Sequence, residues 1–202
     1  MRNLTMLTDL YQMTMMNGYI QAGIPDRIAV FDLFYRKNPG NAAFAVAAGL
    51  EQVIDYIENL HFDAEDIAYL RSLNLFDEKF FDYLKNFRFT GEIYAMPEGT
   101  LVFPYEPLLR VKAPNFEAQL IETAMLNIVN HQTLIASKAA RVCLAAQGDL
   151  VMEFGLRRAQ GPDAGLYGAR AALIAGCGST SNVRAGKMFD VPVAGPHAHR
   201  WV

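Results

Sequence analysis

Cysteine is scarce in this chain of 202 residues: Cys143 and Cys177 are the two it has. They provide no disulfide framework and no metal-ligand spacing, so the plain reading is two buried thiols in a reducing cytosol. An excess of charge of one sign is also lacking. A formal net charge of −3 argues against a general binder of nucleic acid or of an anionic membrane, and leaves room for a local basic site. No uncharged apolar run reaches the ~18 residues that a membrane span needs, so none is expected. The first residues carry Asp9 inside their apolar stretch and have no small-residue cleavage site, so no secretory signal is expected and the location expected is cytoplasmic. Repeats and low-complexity segments are missing too. What is present, 52% hydrophobic against 19% charged residues, is ample for the core of one large domain or one and a half.

Taken in order, residues 8–22 read as a helix that Thr8 or Asp9 can cap and that Gly23 and Pro25 end. Its apolar residues lie on more than one side. Residues 28–36 alternate as a strand, 38–41 form a turn, and 42–48 form a second strand, which predicts a hairpin-like pair. Residues 49–60, 63–73 and 77–86 are three short amphipathic helices. Phe80, Phe81, Tyr83, Leu84 and Phe87 recur at helical spacing, which reads as core rather than a cofactor box. The acidic run 63–66 reads as a helix N-terminus. Residues 88–113 form β structure interrupted by Pro97, Pro104 and Pro107, which predicts edge or bulged strands. Residues 115–147 are the longest helical pattern, stopped by Gly148. His131 and its polar neighbours there read as a buried hydrogen-bonded network or an interface rather than a catalytic centre.

The C-terminal stretch carries the chemistry. Three short apolar runs, 150–154, 171–174 and 191–194, each lead into a polar, glycine-rich loop: 155–165, 176–182 and 195–200. Helical patterns fit between them, which predicts βαβ units of a parallel sheet. Parallel sheets gather ligand groups in the loops beyond their strand C-termini. The first loop holds Arg157 and Arg158. Guanidinium forks bind phosphate and carboxylate bidentately. Adjacent residues of an extended loop point different ways, so one arginine faces the site and the other a structural partner. Asp163 is expected to cap the next helix. In the second loop, free N–H groups and the hydroxyls of Ser179, Thr180 and Ser181 can hold an anion, while a plain N-cap by Ser179 or Ser181 is an equal reading. His197 and His199 flank Ala198 in the third, and with no other Cys/His cluster near them no zinc site is expected. Together the loops suit an anionic, phosphate-bearing substrate.

The same loops, GLRRAQGPD at 155–163, SNVRAG at 181–186 and VPVAGPHAH at 191–199, resemble those of the nicotinate phosphoribosyltransferase family. LTDLYQ at 7–12, FDLFYRKNP at 31–39 and PEGTLVFP at 97–104 agree in order and spacing, so the resemblance covers the whole chain. It implies an α+β N-terminal domain, residues 1–114, followed by the first part of an incomplete α/β barrel, residues 115–202, similar to a type II phosphoribosyltransferase. It further implies that nicotinate and 5-phosphoribosyl 1-diphosphate are joined to give nicotinate mononucleotide and diphosphate, with ATP hydrolysis coupled through a phosphohistidine and Mg2+ accompanying the phosphates. By the same resemblance His199 is the phosphorylated residue, and Arg157 contacts substrate or phosphate. Phe154 faces the base, Tyr11 stacks on the ring from the partner of a homodimer, and Arg36 reaches a phosphate across that interface. Pro196 stands where the family usually has a substrate-contacting threonine, and Arg200 where serine is common. Relatives that use nicotinamide carry a carboxylate in the 176–182 loop, whereas this chain has Ser181 and Asn182. Members of the family are longer than this chain, so the isolated 202 residues are expected to be catalytically incompetent. The alternatives are a nicotinamide-specific relative and a non-catalytic dimerisation module.

Overall fold

The computed structural model describes residues 3–38 and 42–197. They form a mixed α/β fold divided into two compact units, each assembled from separated chain segments. The first comprises the residues up to Phe34, then Leu50–Met96 and Pro107–Ile128; the second comprises Tyr35–Gly49, Pro97–Glu106 and the chain from Val129 on.

In the first unit, helix α1 (Leu10–Gln21) precedes strand β1 (Ile28–Leu33), followed by helices α2 (Leu50–Glu58), α3 (Ala64–Ser72) and α4 (Glu78–Lys85). Strand β3 (Glu92–Ala95), strand β5 (Leu109–Pro114) and the first turns of helix α5 (Asn115–Ala145) complete it. The sheet is antiparallel in the order β1-β5-β3, pairing Ile28 with Pro114 and Glu92 with Lys112. Along β5, Leu109, Val111 and Ala113 are buried while Arg110 and Lys112 point outward, the period-2 alternation of a half-buried strand. Outward Arg110 binds the Asp32 carboxylate on β1 through two bonds of 2.6 and 2.7 Å. The aromatic face of α4 is core, as its spacing predicts: Phe80, Phe81, Leu84 and Phe87 are at most 3% exposed, and Phe80 meets Phe116 edge-on at 6.1 Å. The acidic run is a helix N-terminus closed by a capping box between Asp63 and Asp66.

The second unit begins with strand β2 (Ala45–Val46), antiparallel to β4 (Leu101–Val102). On the rest of α5, the Ser137 and Thr133 hydroxyls accept from the Val46 and Ala48 amides, at 2.9 and 3.3 Å. Then come strand β6 (Met152–Glu153), a 3₁₀ turn at Leu156–Arg158, helix α6 (Pro162–Ile174), strand β7 (Ser179–Thr180) and helix α7 (Val183–Phe189). Strands β6 and β7 are parallel, and Val193 bridges to Thr180 in parallel beside them. Val46, Ala48, Ala136 and Ala171 form one buried cluster.

Four expectations are corrected. Strands β1 and β2 do not form a hairpin; their partners are β5 and β4, because the residues between them are far too many for the two-residue turns that hold a tight hairpin. The run 171–174 is the end of α6, not a strand. Its alanines are strong helix formers, Pro162 opens the helix, and Gly176 at φ +109° ends it. The strand is Ser179–Thr180, within the stretch read as a loop. Asp163 does not cap α6, because the cap position is Gly161. Pro97, Pro104 and Pro107 lie between strands rather than inside them; β3 and β4 are edge strands as expected, but β5, which follows Pro107, is the central strand of its sheet.

One buried ion pair holds the second unit. Arg170 on α6 donates to both oxygens of Glu98, at 2.9 and 2.6 Å, and both side chains are largely buried, at 11% and 17% exposure. Glu98 also accepts the Gly49 amide at 2.6 Å. Removing one partner leaves a buried charge without its counter-ion. Arg170→Met is therefore expected to lower stability by ~3–5 kcal/mol, read from denaturant unfolding, whereas Arg71→Met, which breaks the exposed pair with Glu78, is expected to shift the unfolding midpoint far less.

Candidate active site

Two backbone ladders bring the three loops of the second unit to one edge. Gly178 donates to the Val151 carbonyl at 2.9 Å and Ser181 to Glu153 at 3.1 Å; Thr180 donates to Pro192 and Ala194 to Thr180, both at 3.0 Å. Phe154, Ser181 and Gly195 therefore follow one another across the carboxyl ends of adjacent parallel strands, the position at which such sheets present ligand groups. A Cβ added to Gly195 would lie 3.9 Å from that of Ser181, so the third loop passes close to the second.

A carboxylate inside the sheet fixes the spacing of the first two loops. Glu153 accepts the Thr180 hydroxyl at 2.6 Å through one oxygen and the Gly155 amide through the other. Thr180, fully buried, in turn accepts the Asn182 amide at 3.0 Å. Asn182 caps α7 by accepting from the Ala185 amide at 3.1 Å, and its amide nitrogen donates to Gly165 on α6 at 3.2 Å. The cap is therefore Asn182, not Ser179 or Ser181, which leaves Ser181 at the strand end. The Thr180 hydroxyl, expected to be available to an anion, is instead buried and committed to Glu153. Glu153 escaped sequence reasoning; the available signal was an acid within an otherwise apolar run, where an unpaired charge would be costly.

The two arginines differ in their contacts. Arg158 donates to the Phe154 carbonyl at 3.1 Å and so braces its own loop. Arg157 is exposed and makes no side-chain bond to any described residue. Phe154 is 36% exposed, and Pro196 and His197 are exposed. His199 and Arg200 lie outside the described residues. Arg36 is exposed in the segment that Tyr35 anchors: the Tyr35 hydroxyl donates to the Val102 carbonyl at 2.7 Å, and its backbone carbonyl accepts from Tyr105 at 2.8 Å. His131 contacts the Ala164 carbonyl at 3.2 Å, the structural role expected of it.

Tyr11 belongs to the first unit and is half exposed. Its phenol accepts from Gln12 at 2.8 Å, and Gln12 also donates to Glu122 at 2.9 Å. Desolvation, then the nearby Glu122 and Asp9 carboxylates, push the phenol above its usual range, so it stays neutral at physiological pH. Fully buried Gln12 accepts from Gln119, whose own oxygen accepts the Tyr19 hydroxyl at 3.0 Å. This network orients Tyr11, and its members lie too far apart in sequence to be read together.

Comparison with known proteins places this architecture. Among solved structures the chain is similar to human nicotinic acid phosphoribosyltransferase, with a TM-score of 0.89 and 41% identity over 96% of this chain and 40% of that one. It is also similar to the nicotinate-nucleotide pyrophosphorylase of Pyrococcus furiosus, with a TM-score of 0.78 and 25% identity over 98% and 43%. The fold is thus of the mixed α/β, type II phosphoribosyltransferase-like class. The profile of the nicotinate phosphoribosyltransferase N-terminal domain matches residues 6–130, and the Bacillus subtilis nicotinate phosphoribosyltransferase is 52% identical over 99% of this chain. The chain belongs to the nicotinate phosphoribosyltransferase family. It spans about two fifths of the length of the relatives it matches, 41% for the Bacillus subtilis enzyme.

If Glu153 and Thr180 set the spacing of the two loops, Thr180→Val leaves the Glu153 carboxylate without its hydroxyl donor. The expected cost is ~1–3 kcal/mol, and hydrogen exchange should quicken at the Gly155 and Asn182 amides while that of β5 is unchanged.

Proposed function

We propose that this chain supplies catalytic residues of a nicotinate phosphoribosyltransferase, built on a partial α/β barrel and acting in NAD biosynthesis in the cytoplasm. The pyridine nitrogen of nicotinate displaces diphosphate from C1′ of 5-phosphoribosyl 1-diphosphate, giving nicotinate mononucleotide. The observation that carries this reading is the convergence of Phe154, Ser181 and Gly195 at parallel strand ends, beside an uncommitted Arg157, in a chain of that family.

Phe154 offers one apolar face to the pyridine ring, and Tyr11 of the partner subunit in a homodimer offers the other. The half-exposed ring of Tyr11 supports an outward role. Arg157 binds phosphate or carboxylate through its fork, and Arg36 adds positive charge across the dimer interface. Charge at the leaving diphosphate favours displacement, since negative charge builds there in the transition state. Ser181 is uncharged and suits the nicotinate carboxylate; Asn182 is committed to its cap. Pro196 removes a hydroxyl and an N–H from the substrate side of its loop and shapes it by its ring alone.

ATP is coupled through His199, whose neutral imidazole takes the γ-phosphoryl group as a nucleophile. Mg2+ would accompany the substrate phosphates and offset their charge.

Incubation with γ-labelled ATP tests the ATP step. Acid-labile label on the folded chain, absent in His199→Ala, is the expected result; a folded chain that takes no label counts against the phosphohistidine. Nicotinate mononucleotide formation by the 202 residues alone should stay below detection, and measurable turnover would refute that expectation.

A further inference from the structure

The proposed chemistry leaves the two cysteines unused, and the fold brings them together. Cys143 sits near the C-terminal end of α5, and Cys177 begins the segment that enters β7. Their sulfurs lie 4.0 Å apart within the second unit, both as free thiols. The two chain segments touch closely: a Cβ on Gly176 would meet the Cys143 sulfur at 3.6 Å and its Cβ at 3.7 Å. The Cys177 amide donates to Ala172 at 3.0 Å and that of Gly178 to Val151 at 2.9 Å, so the backbone on the Cys177 side is held in place. Closing 4.0 Å to a bond of about 2.05 Å takes side-chain rotation and a small backbone shift.

We propose that Cys143 and Cys177 are a redox-active pair that a peroxide converts to an intrachain disulfide. The two thiols are not equivalent. Cys177 is buried, and Cys143 is partly exposed. Desolvation, then the facing Cys143, push the Cys177 thiol up to about 12, so it is a poor first nucleophile. Cys143 meets the oxidant: its sulfur attacks one peroxide oxygen, the O–O bond breaks, and water leaves, giving a sulfenic acid. The Cys177 sulfur then attacks the sulfenic sulfur. The S–O bond breaks, and the hydroxyl leaves with the Cys177 proton as a second water. Overall two thiols and one hydrogen peroxide give one disulfide and two waters.

The bond would tie the last turn of α5 to the segment that carries Ser179, Thr180 and Ser181 to the strand ends. Peroxide therefore acts on the loop geometry of the candidate site without touching a residue assigned to substrate. This inference stands on the two sulfurs and their neighbours, and holds whether or not the proposed activity is correct.

The test is treatment of the folded chain with a small molar excess of hydrogen peroxide, alkylation of the remaining thiols, and non-reducing tryptic mapping. The cysteines fall on separate peptides, residues 142–157 and 171–184. The expected product is these two peptides joined, two hydrogens lighter than their sum and separated by dithiothreitol. The oxidised chain should melt about 5–10 °C higher than the reduced one. In Cys177→Ser, dimedone should trap a sulfenic acid on Cys143. Two alkylatable thiols surviving the treatment, separate sulfinic or sulfonic acids, or a disulfide between two chains would each overturn the proposal. Mapping the unsubstituted chain keeps the test decisive even if Cys177→Ser fails to fold.

Discussion

The second unit depends on one buried charge pair. Its chain arrives in three separated segments, and Glu98 meets two of the others, through the Arg170 fork and the Gly49 amide. A carboxylate moved out of water must recover its hydration in full from the protein; here two guanidinium bonds and one backbone N–H do so. With Glu98 placed, the Gly99 amide reaches the Ala47 carbonyl at 2.8 Å and the β2–β4 ladder follows. With Arg170 placed, α6 is held where its Ala171 packs into the cluster with Val46, Ala48 and Ala136. The candidate site begins at the two ends of that helix.

The site is held by a second polar contact of the same kind at smaller scale. Glu153 takes a hydroxyl from β7 and an amide from its own loop, so the distance between Phe154 and Ser181 is set by a side chain that touches neither. Loops of such length would otherwise be mobile, and a site built on them would lack the preorganisation that catalysis of displacement requires.

Local signals were legible in the sequence, and long-range ones were not. The helices α1 to α5 follow from apolar spacing and from Gly23, Gly148 and the acidic run at 63–66, because those features act within one or two turns. The parallel arrangement of the C-terminal strands was legible from their alternation with helices. Strand partners were not: β1 chooses β5 across an intervening set of three helices, and nothing local to residues 28–36 records that choice. The run 171–174 misled because a short apolar stretch satisfies either period, and its alanines decide for helix. Within the second unit, the place of Phe154, Arg157 and Arg158 just after a parallel strand was readable from the apolar run that precedes them; the roles expected of them, and of Tyr11, came from the family resemblance. Glu153, Gln12 and Glu98 were not readable, nor was the commitment of the Thr180 hydroxyl to Glu153, since each matters through a partner distant in the chain.

The span between Glu98 and Arg170 has a temporal side. Their separation of 72 residues means that a ribosome working at about 5–20 residues per second delivers the arginine roughly 4–15 s after the glutamate. During that interval the first unit, whose last residue is Ile128, can already mature while Glu98 stays hydrated. Loop closure between such distant points is slow and entropically costly. Of the two units, the second accordingly closes later, and a chaperone would meet it unfinished.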